Sequence, residues 1–401
     1  MKGSSQKKVL NKILPTRFLL DMYRYARTGD ECYYIKYLPI SKRKIVFNCF
    51  SGRKYGDNPK YIVEEIHRQN LDWDMVWLTR DMSESLPSYV RPVEYGSAQA
   101  RREITTAKIY VMNKRSGVRV SKRKGQIYLQ TWHGGLGFKK VEAEAEGKLD
   151  ERYVNAAKRD GAECDAIISA CALQSIDYKK HFWLNSRTKI LEFGQPRCDA
   201  LFQNCREAIV EKVYTALNIS EDMGIILYAP TFRDDWSMDC YKFDYNKVLD
   251  VFEKKYSRKY VMVVRLHPNI QHLCGFLHYN DRIINGSGYP DIQELFLASG
   301  FLISDYSSAV FDFALLNKPV FLYVKDWENY EKLRGFTEVF HNCPFPKAYS
   351  EEQMLSLIDA FNHDKYMNEF IEFKDTVWRP FDDGHASERT VNWLKNYMGK
   401  I

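Results

Sequence analysis

Two histidines stand directly after short apolar runs, where a parallel strand would deliver an imidazole to the carboxyl edge of a sheet. His133 follows Ile127–Gln130 and opens Thr131-Trp132-His133-Gly134-Gly135-Leu136-Gly137-Phe138-Lys139-Lys140. The glycines after it let backbone approach a ligand closely, and an imidazole there suits a general base. A lone histidine in such a turn more often serves the fold, and the glycines and lysines shift the balance toward a site. His267 ends a second run, Val261–Arg265, with Pro268 stopping the element. Arg265 beside it offers a fork of donors to phosphate oxygens.

A third loop is richer. Phe301–Ser304 is followed by Asp305-Tyr306-Ser307-Ser308 and a short helical pattern that stops at Lys318-Pro319. Ser307 or Ser308 would cap the helix, whose N-terminal amides form a phosphate cradle. Asp312, one turn in, either satisfies the turn or holds a substrate hydroxyl. A fourth loop, Tyr228-Ala229-Pro230-Thr231-Phe232-Arg233-Asp234-Asp235, offers Arg233 to a phosphate or carboxylate. Two adjacent acids without a third ligand argue weakly for a metal. The sequence requires no bound cofactor or metal and leaves a loosely held Mg²⁺ open.

These loops need strands to carry them. Strands are predicted at Lys44–Phe50, Met75–Leu78, Ile109–Met112, Ile127–Gln130 and Ala166–Ser169, with helices near Pro59–Gln69 and Ser97–Ala107. After a polar, helix-rich stretch a second set follows: Ile225–Ala229, Tyr260–Arg265, Arg282–Ile284, Phe301–Ser304 and Val320–Val324. Helices near Tyr245–Tyr256, Asp291–Ser299 and Ser308–Leu316 separate them, and a last helix is predicted near His385–Tyr397. The alternation predicts two doubly wound α/β sheets joined near residues 190–220.

The 401 residues allow two domains, and nine scattered cysteines without a C-x-x-C pair indicate a reducing setting. Residues 1–60 hold fourteen Lys/Arg against four acids, which places +10 there and −3 on the rest of a chain of net charge +7. That segment carries Phe18, Leu19, Met22, Tyr23 and Ala26 at helical spacing among Arg17, Arg24 and Arg27. It reads either as a helix lying on an anionic membrane surface or as one packed on the body with a solvated basic face. The confinement of the charge argues against nucleic acid as a partner, and no apolar run is long enough to span a bilayer.

The combination Thr131-Trp132-His133-Gly134, Ala229-Pro230-Thr231-Phe232-Arg233, Arg265-Leu266-His267-Pro268 and Ser304-Asp305-Tyr306-Ser307-Ser308, with Phe311-Asp312, Lys318-Pro319 and Asp383-Gly384-His385-Ala386-Ser387-Glu388-Arg389, resembles the CDP-glycerol glycerophosphotransferase family, the teichoic-acid primases and polymerases and related capsule enzymes. The resemblance runs from about residue 125 to the end. It implies a GT-B-like α/β fold of two Rossmann-like domains facing a cleft. The expected boundaries are a basic amphipathic segment over 1–40, an acceptor domain over 41–200, a CDP-alditol domain over 201–375 and a C-terminal helix over 376–401.

The resemblance further implies transfer of glycerol phosphate, or a related alditol phosphate, from CDP-glycerol or another CDP-alditol to a hydroxyl of a lipid-linked or polymeric acceptor, with CMP released at the cytoplasmic face of the membrane. The family's functional histidines fall on His133 and His267, and its phosphate-binding serines on Ser307 and Ser308. Gly134, Arg233, Arg265, Ser304, Asp305 and Asp312 complete the expected substrate site. Where many members continue with a T-P-L-K-like stretch, this chain has Gly135-Leu136-Gly137-Phe138-Lys139, which leaves the acceptor and the alditol open. Two other readings stay open: a sugar-nucleotide glycosyltransferase on the same fold, and a membrane-associated polyanion-binding scaffold.

Overall fold

The computed structural model describes residues 17–29, 33–115, 122–267, 270 and 277–399. Seven strands form the first sheet, parallel from β1 to β5: Ser41–Asn48 (β1), Asp74–Thr79 (β2), Arg91–Glu94 (β3), Ala107–Met112 (β4), Ile127–Gln130 (β5), Ala166–Ile168 (β6) and Lys189–Leu191 (β7). Their order is β3-β2-β1-β4-β5-β6-β7. Six strands form the second: Gly224–Tyr228 (β8), Tyr260–Val264 (β9), Ile283–Asn285 (β10), Phe301–Ser304 (β11), Val320–Tyr323 (β12) and Lys347–Ala348 (β13), ordered β10-β9-β8-β11-β12-β13. Both orders reverse direction beside their first strand, as doubly wound nucleotide-binding sheets do. In the second sheet this switch point lies between β8 and β11, whose registers include Leu302 opposite Leu227.

Helices alternate with the strands: residues 17–28 (α1), Asp57–Arg68 (α2), Ala98–Thr106 (α3), Glu151–Glu163 (α4), Ala172–His181 (α5), Arg206–Leu217 (α6), Tyr245–Tyr256 (α7), Ile292–Ala298 (α8) and Ala309–Ala314 (α9). The predicted C-terminal helix is found at Ala386–Lys395. Side-chain caps start several helices, Asp244 accepting from Lys247 N–H at α7 and Asp291 from Gln293 N–H at α8.

The central strands β8, β9, β11 and β12 of the second sheet are buried along their whole length because both faces are covered. Leu227, Val261, Val263, Leu302 and Leu322 enter one buried cluster. Their neighbours Ile226, Tyr228, Met262, Ile303 and Phe321 enter another. Strand periodicity thus divides each run between two cores. By their contacts the described residues form two compact units, those up to 131 with 163–166 and those from 391 onward, and those of 132–162 with 167–390. No disulfide joins the seven described cysteines, and Cys32 and Cys274 lie outside the described residues.

Candidate functional site

Every expected site residue lies in the second of these units. Thr131 ends the β5 segment, and the turn is made by Trp132, whose φ of 53° is left-handed and costly for an aromatic residue. Its ring is held edge-on by Phe182 at 4.9 Å and leans on His133 at 4.6 Å. His133 is thereby presented at the surface of a cavity of about 150 Å³. The following residues fasten the loop. Phe138 is fully buried against Phe311, 5.1 Å between centroids, and its carbonyl accepts from Thr337 N–H at 2.8 Å.

Gly134 lies against Ser308, where a Cβ would meet the serine Oγ at 3.0 Å. A side chain there would press on the Ser308 hydroxyl, so glycine allows the close approach. Helix α5 holds the loop from another side: Gln174 Nε2 donates to Gly134 O at 2.9 Å and Gly135 O at 2.7 Å. Gln174, Asp177 and His181 follow one another at helical spacing, and all three line the cavity with His133, Lys139, Glu144 and Ser308. Burial, and then the charge of Glu144, push the Asp177 carboxyl up to about 6, against the opposing pull of His181. Burial, and then Arg334, lower the pKa of Lys139.

At the switch point the expected residues divide. Arg233, expected at substrate phosphate, is 3% exposed and is committed to protein carboxylates instead. It donates to Asp305 at 2.7 Å and to Asp326 at 2.6 and 3.1 Å, with Tyr306 and Tyr330 over its guanidinium. Burial disfavours its charge, but the carboxylates outweigh that and raise its pKa. Asp305 also accepts from the Thr231 amide and hydroxyl, and Ser304 Oγ donates to Ala229 O at 2.7 Å. These bonds tie the β8 loop to the β11 loop. Asp312 is likewise buried, accepting from Arg197 at 2.7 and 3.1 Å and from Gln293 at 3.0 Å.

Arg265 is different. Its guanidinium donates to the carbonyls of Gly286 and Tyr289, at 3.2 and 2.6 Å, and burial lowers its pKa. His267 is exposed at the end of the β9 segment, its ring 5.6 Å from that of Phe232. Pro268 and Asn269 of that motif lie outside the described residues. The cap of α9 falls on Ser307, whose Oγ accepts from Ala309 N–H at 3.2 Å, while Ser308 makes no cap bond and lines the cavity.

His133, Gly134 and Ser308 are therefore brought to one cavity, whereas Arg233, Ser304, Asp305 and Asp312 form a buried frame. Sequence reading passed over Glu144, Gln174, Asp177 and His181. The helical stripe of Gln174, Asp177 and His181 was the available signal. Of the closing motif, Asp199 accepts from the amides of Ala386 and Ser387 at 2.9 and 2.7 Å, and Asp383 pairs with Arg389. Among the described residues no His, Cys, Asp and Glu cluster is arranged to hold a metal.

Comparison with known proteins adds an independent line. The family described as CDP-Glycerol:Poly(glycerophosphate) glycerophosphotransferase matches residues 33–396. A teichoic acid poly(glycerol phosphate) polymerase of Staphylococcus epidermidis is 31% identical over 363 residues, covering 87% of this chain and 50% of the relative. The chain thus spans about half the length of that relative. A Bacillus spizizenii protein of the same description is 30% identical over 370 residues, covering 89% of this chain and 93% of the relative. The solved structure of the wall teichoic acid polymerase TagF superposes with a TM-score of 0.82 at 27% identity, covering 96% of this chain and 98% of that one. The fold class is accordingly GT-B-like, with two Rossmann-like sheets.

Proposed function

The chain belongs to the CDP-glycerol:poly(glycerophosphate) glycerophosphotransferase family, and we propose on that footing that it transfers glycerol phosphate from CDP-glycerol to a hydroxyl of a teichoic-acid-like acceptor. The observation that carries this reading is the convergence of His133 and Ser308 on one cavity, with Gly134 in contact beside them. His133 takes the proton of the acceptor hydroxyl, whose oxygen forms a bond to the β-phosphorus of CDP-glycerol. The bond from that phosphorus to the bridging oxygen breaks, and CMP leaves with the electron pair. Ser307, Ser308, Arg265 and His267 bind phosphate and offset its growing charge. Arg233, Ser304, Asp305 and Asp312 hold the loops that present them.

The test is CMP release from CDP-glycerol in the presence of a lipid-linked acceptor analogue, with UDP- and GDP-sugars as rivals. His133→Ala is expected to lower turnover ~10²–10⁴-fold while CDP-glycerol still binds. Turnover near the parent level sinks the base, and release of UDP or GDP instead of CMP sinks the donor.

The acceptor is proposed to be lipid-linked and met at an anionic membrane surface. Helix α1 supports this. Asp21 is buried and bonded to Lys36 and Tyr37, whereas Leu19 and Tyr23 are 65% and 63% exposed beside Phe18 and Leu20. Arg17, Arg24 and Arg27 add positive charge to the same short helix. Val9, Leu10, Ile13 and Leu14 lie outside the described residues, and among those described no helix is long and apolar enough to cross a membrane. Leu19→Ser with Tyr23→Ser is expected to weaken flotation with phosphatidylglycerol vesicles. Undiminished flotation rejects the surface.

A further inference from the structure

We propose that the cavity between helix α5 and the glycine-rich loop receives the terminal polyol of the acceptor, its hydroxyls donating to Asp177 and Glu144 and its linking phosphate facing Lys139. This assignment of the acceptor end rests on the transferase reading above.

Size is the first argument. About 150 Å³ is an order of magnitude more than the ~10–15 Å³ one water occupies. It is well below the ~300–1,000 Å³ of pockets that take drug-sized ligands. A three-carbon polyol fits such a space, and a whole nucleotide diphosphate does not.

Charge is the second. Ionised carboxylates accept hydrogen bonds from hydroxyls and repel phosphate oxygens. Two of them in one wall therefore select a hydroxyl-bearing group over a diphosphate. Lys139 lines the same cavity and supplies the cation that a phosphodiester neighbour needs. The mixture matches a polyol joined to the rest of a polymer through phosphate, and matches a nucleoside diphosphate poorly.

Position is the third. Asp177 shares its helix face with Gln174, whose amide holds the carbonyls of Gly134 and Gly135. The carboxylate is thus registered to the backbone beside His133. Ser308, assigned to donor phosphate, lines the same cavity. An alcohol held by Asp177 would have the proposed base and the donor phosphate as cavity neighbours. The edge-to-face pair of Tyr178 and Phe182, 4.5 Å between centroids, supplies an apolar wall for its carbons.

The full-length protein can be titrated calorimetrically with a short glycerol phosphate oligomer and, separately, with CDP-glycerol. Asp177→Asn and Glu144→Gln are each expected to weaken oligomer binding about 10- to 100-fold, as loss of a hydrogen bond to a charged group does. CDP-glycerol affinity should stay within about twofold of the parent in both. Glu144 is exposed, so Glu144→Gln reports on binding even where Asp177→Asn disturbs folding. Parental oligomer affinity in both variants overturns the proposal, and so does a parallel loss of CDP-glycerol affinity, which would give the cavity to the donor. A parent that releases CMP while both variants keep its acceptor KM fails this inference alone. A parent inert toward CDP-glycerol fails the transferase reading itself.

Discussion

Arg233 and Arg265 follow neighbouring parallel strands, β8 and β9, and differ in how burial and carboxylate charge balance around them. Arg233 is buried between Asp305 and Asp326 with aromatic faces over it. Arg265 is partly buried, donates to the backbone carbonyls of Gly286 and Tyr289, and has its pKa lowered by burial against the weaker opposing pull of Asp291. A buried cation already matched by carboxylates braces a loop. One whose burial outweighs its nearest carboxylate is stabilised further when an anion arrives, which suits it to phosphate. The same residue type after the same kind of strand thus does two jobs, and burial with charge pairing separates them.

The largest expected effect comes from removing the matched cation. Arg233→Met leaves two carboxylates without their partner and should cost about 3–5 kcal/mol, read as a lower urea midpoint. Arg233→Lys recovers only part, because an ammonium lacks the fork that spans both acids. An unchanged midpoint with lost donor binding would reverse the comparison. Arg265→Met should instead weaken CDP-glycerol binding about 10- to 100-fold. Its urea midpoint should stay level or rise, since a poorly compensated charge is gone.

The two serines of the β11 loop repeat the contrast on a smaller scale. Ser307→Ala removes the acceptor for the Ala309 amide and should cost about 1 kcal/mol of stability in addition to its phosphate contact. Ser308→Ala removes no cap bond, so its expected mark is slower CMP release at unchanged stability. Equal stability losses in both would erase the distinction.

A further effect is a pH dependence. Asp177 has a carboxyl pushed up to about 6 from 3.8. The native chain then binds more protons than the unfolded one between those values, so stability falls as pH rises through that interval. Asp177→Asn abolishes the slope. Its thermal midpoint should exceed the parent's at about pH 7, and the excess should vanish near pH 4. A pH-independent difference would indicate a steric cause.

Much of the fold was legible because buried parallel strands are continuous apolar runs. Ile225–Ala229, Tyr260–Arg265 and Phe301–Ser304 were each expected within two residues of the observed bounds. Strands β3, β7 and β13 were missed, being four, three and two residues long. Arg91-Pro92-Val93-Glu94 buries only Val93, so it offers too little pattern to read. The site was legible only in part. His133 and Ser308 announce themselves through the elements they follow or precede, whereas Asp177 and His181 stand in an ordinary-looking polar helix.

The sequence by itself determined where the strands end, and therefore which histidines, serines and arginines stand at sheet edges. Local periodicity is sufficient for that in the central strands, because they are short and covered on both faces. Only the tertiary structure decided which of those side chains remain available. Asp305 and Asp326 reach Arg233 from 72 and 93 residues away, and Asp312 is met by Arg197 from 115. Phe138 seats the His133 loop by packing on Phe311. Charge pairing and burial depend on such distant partners, and no local pattern encodes them.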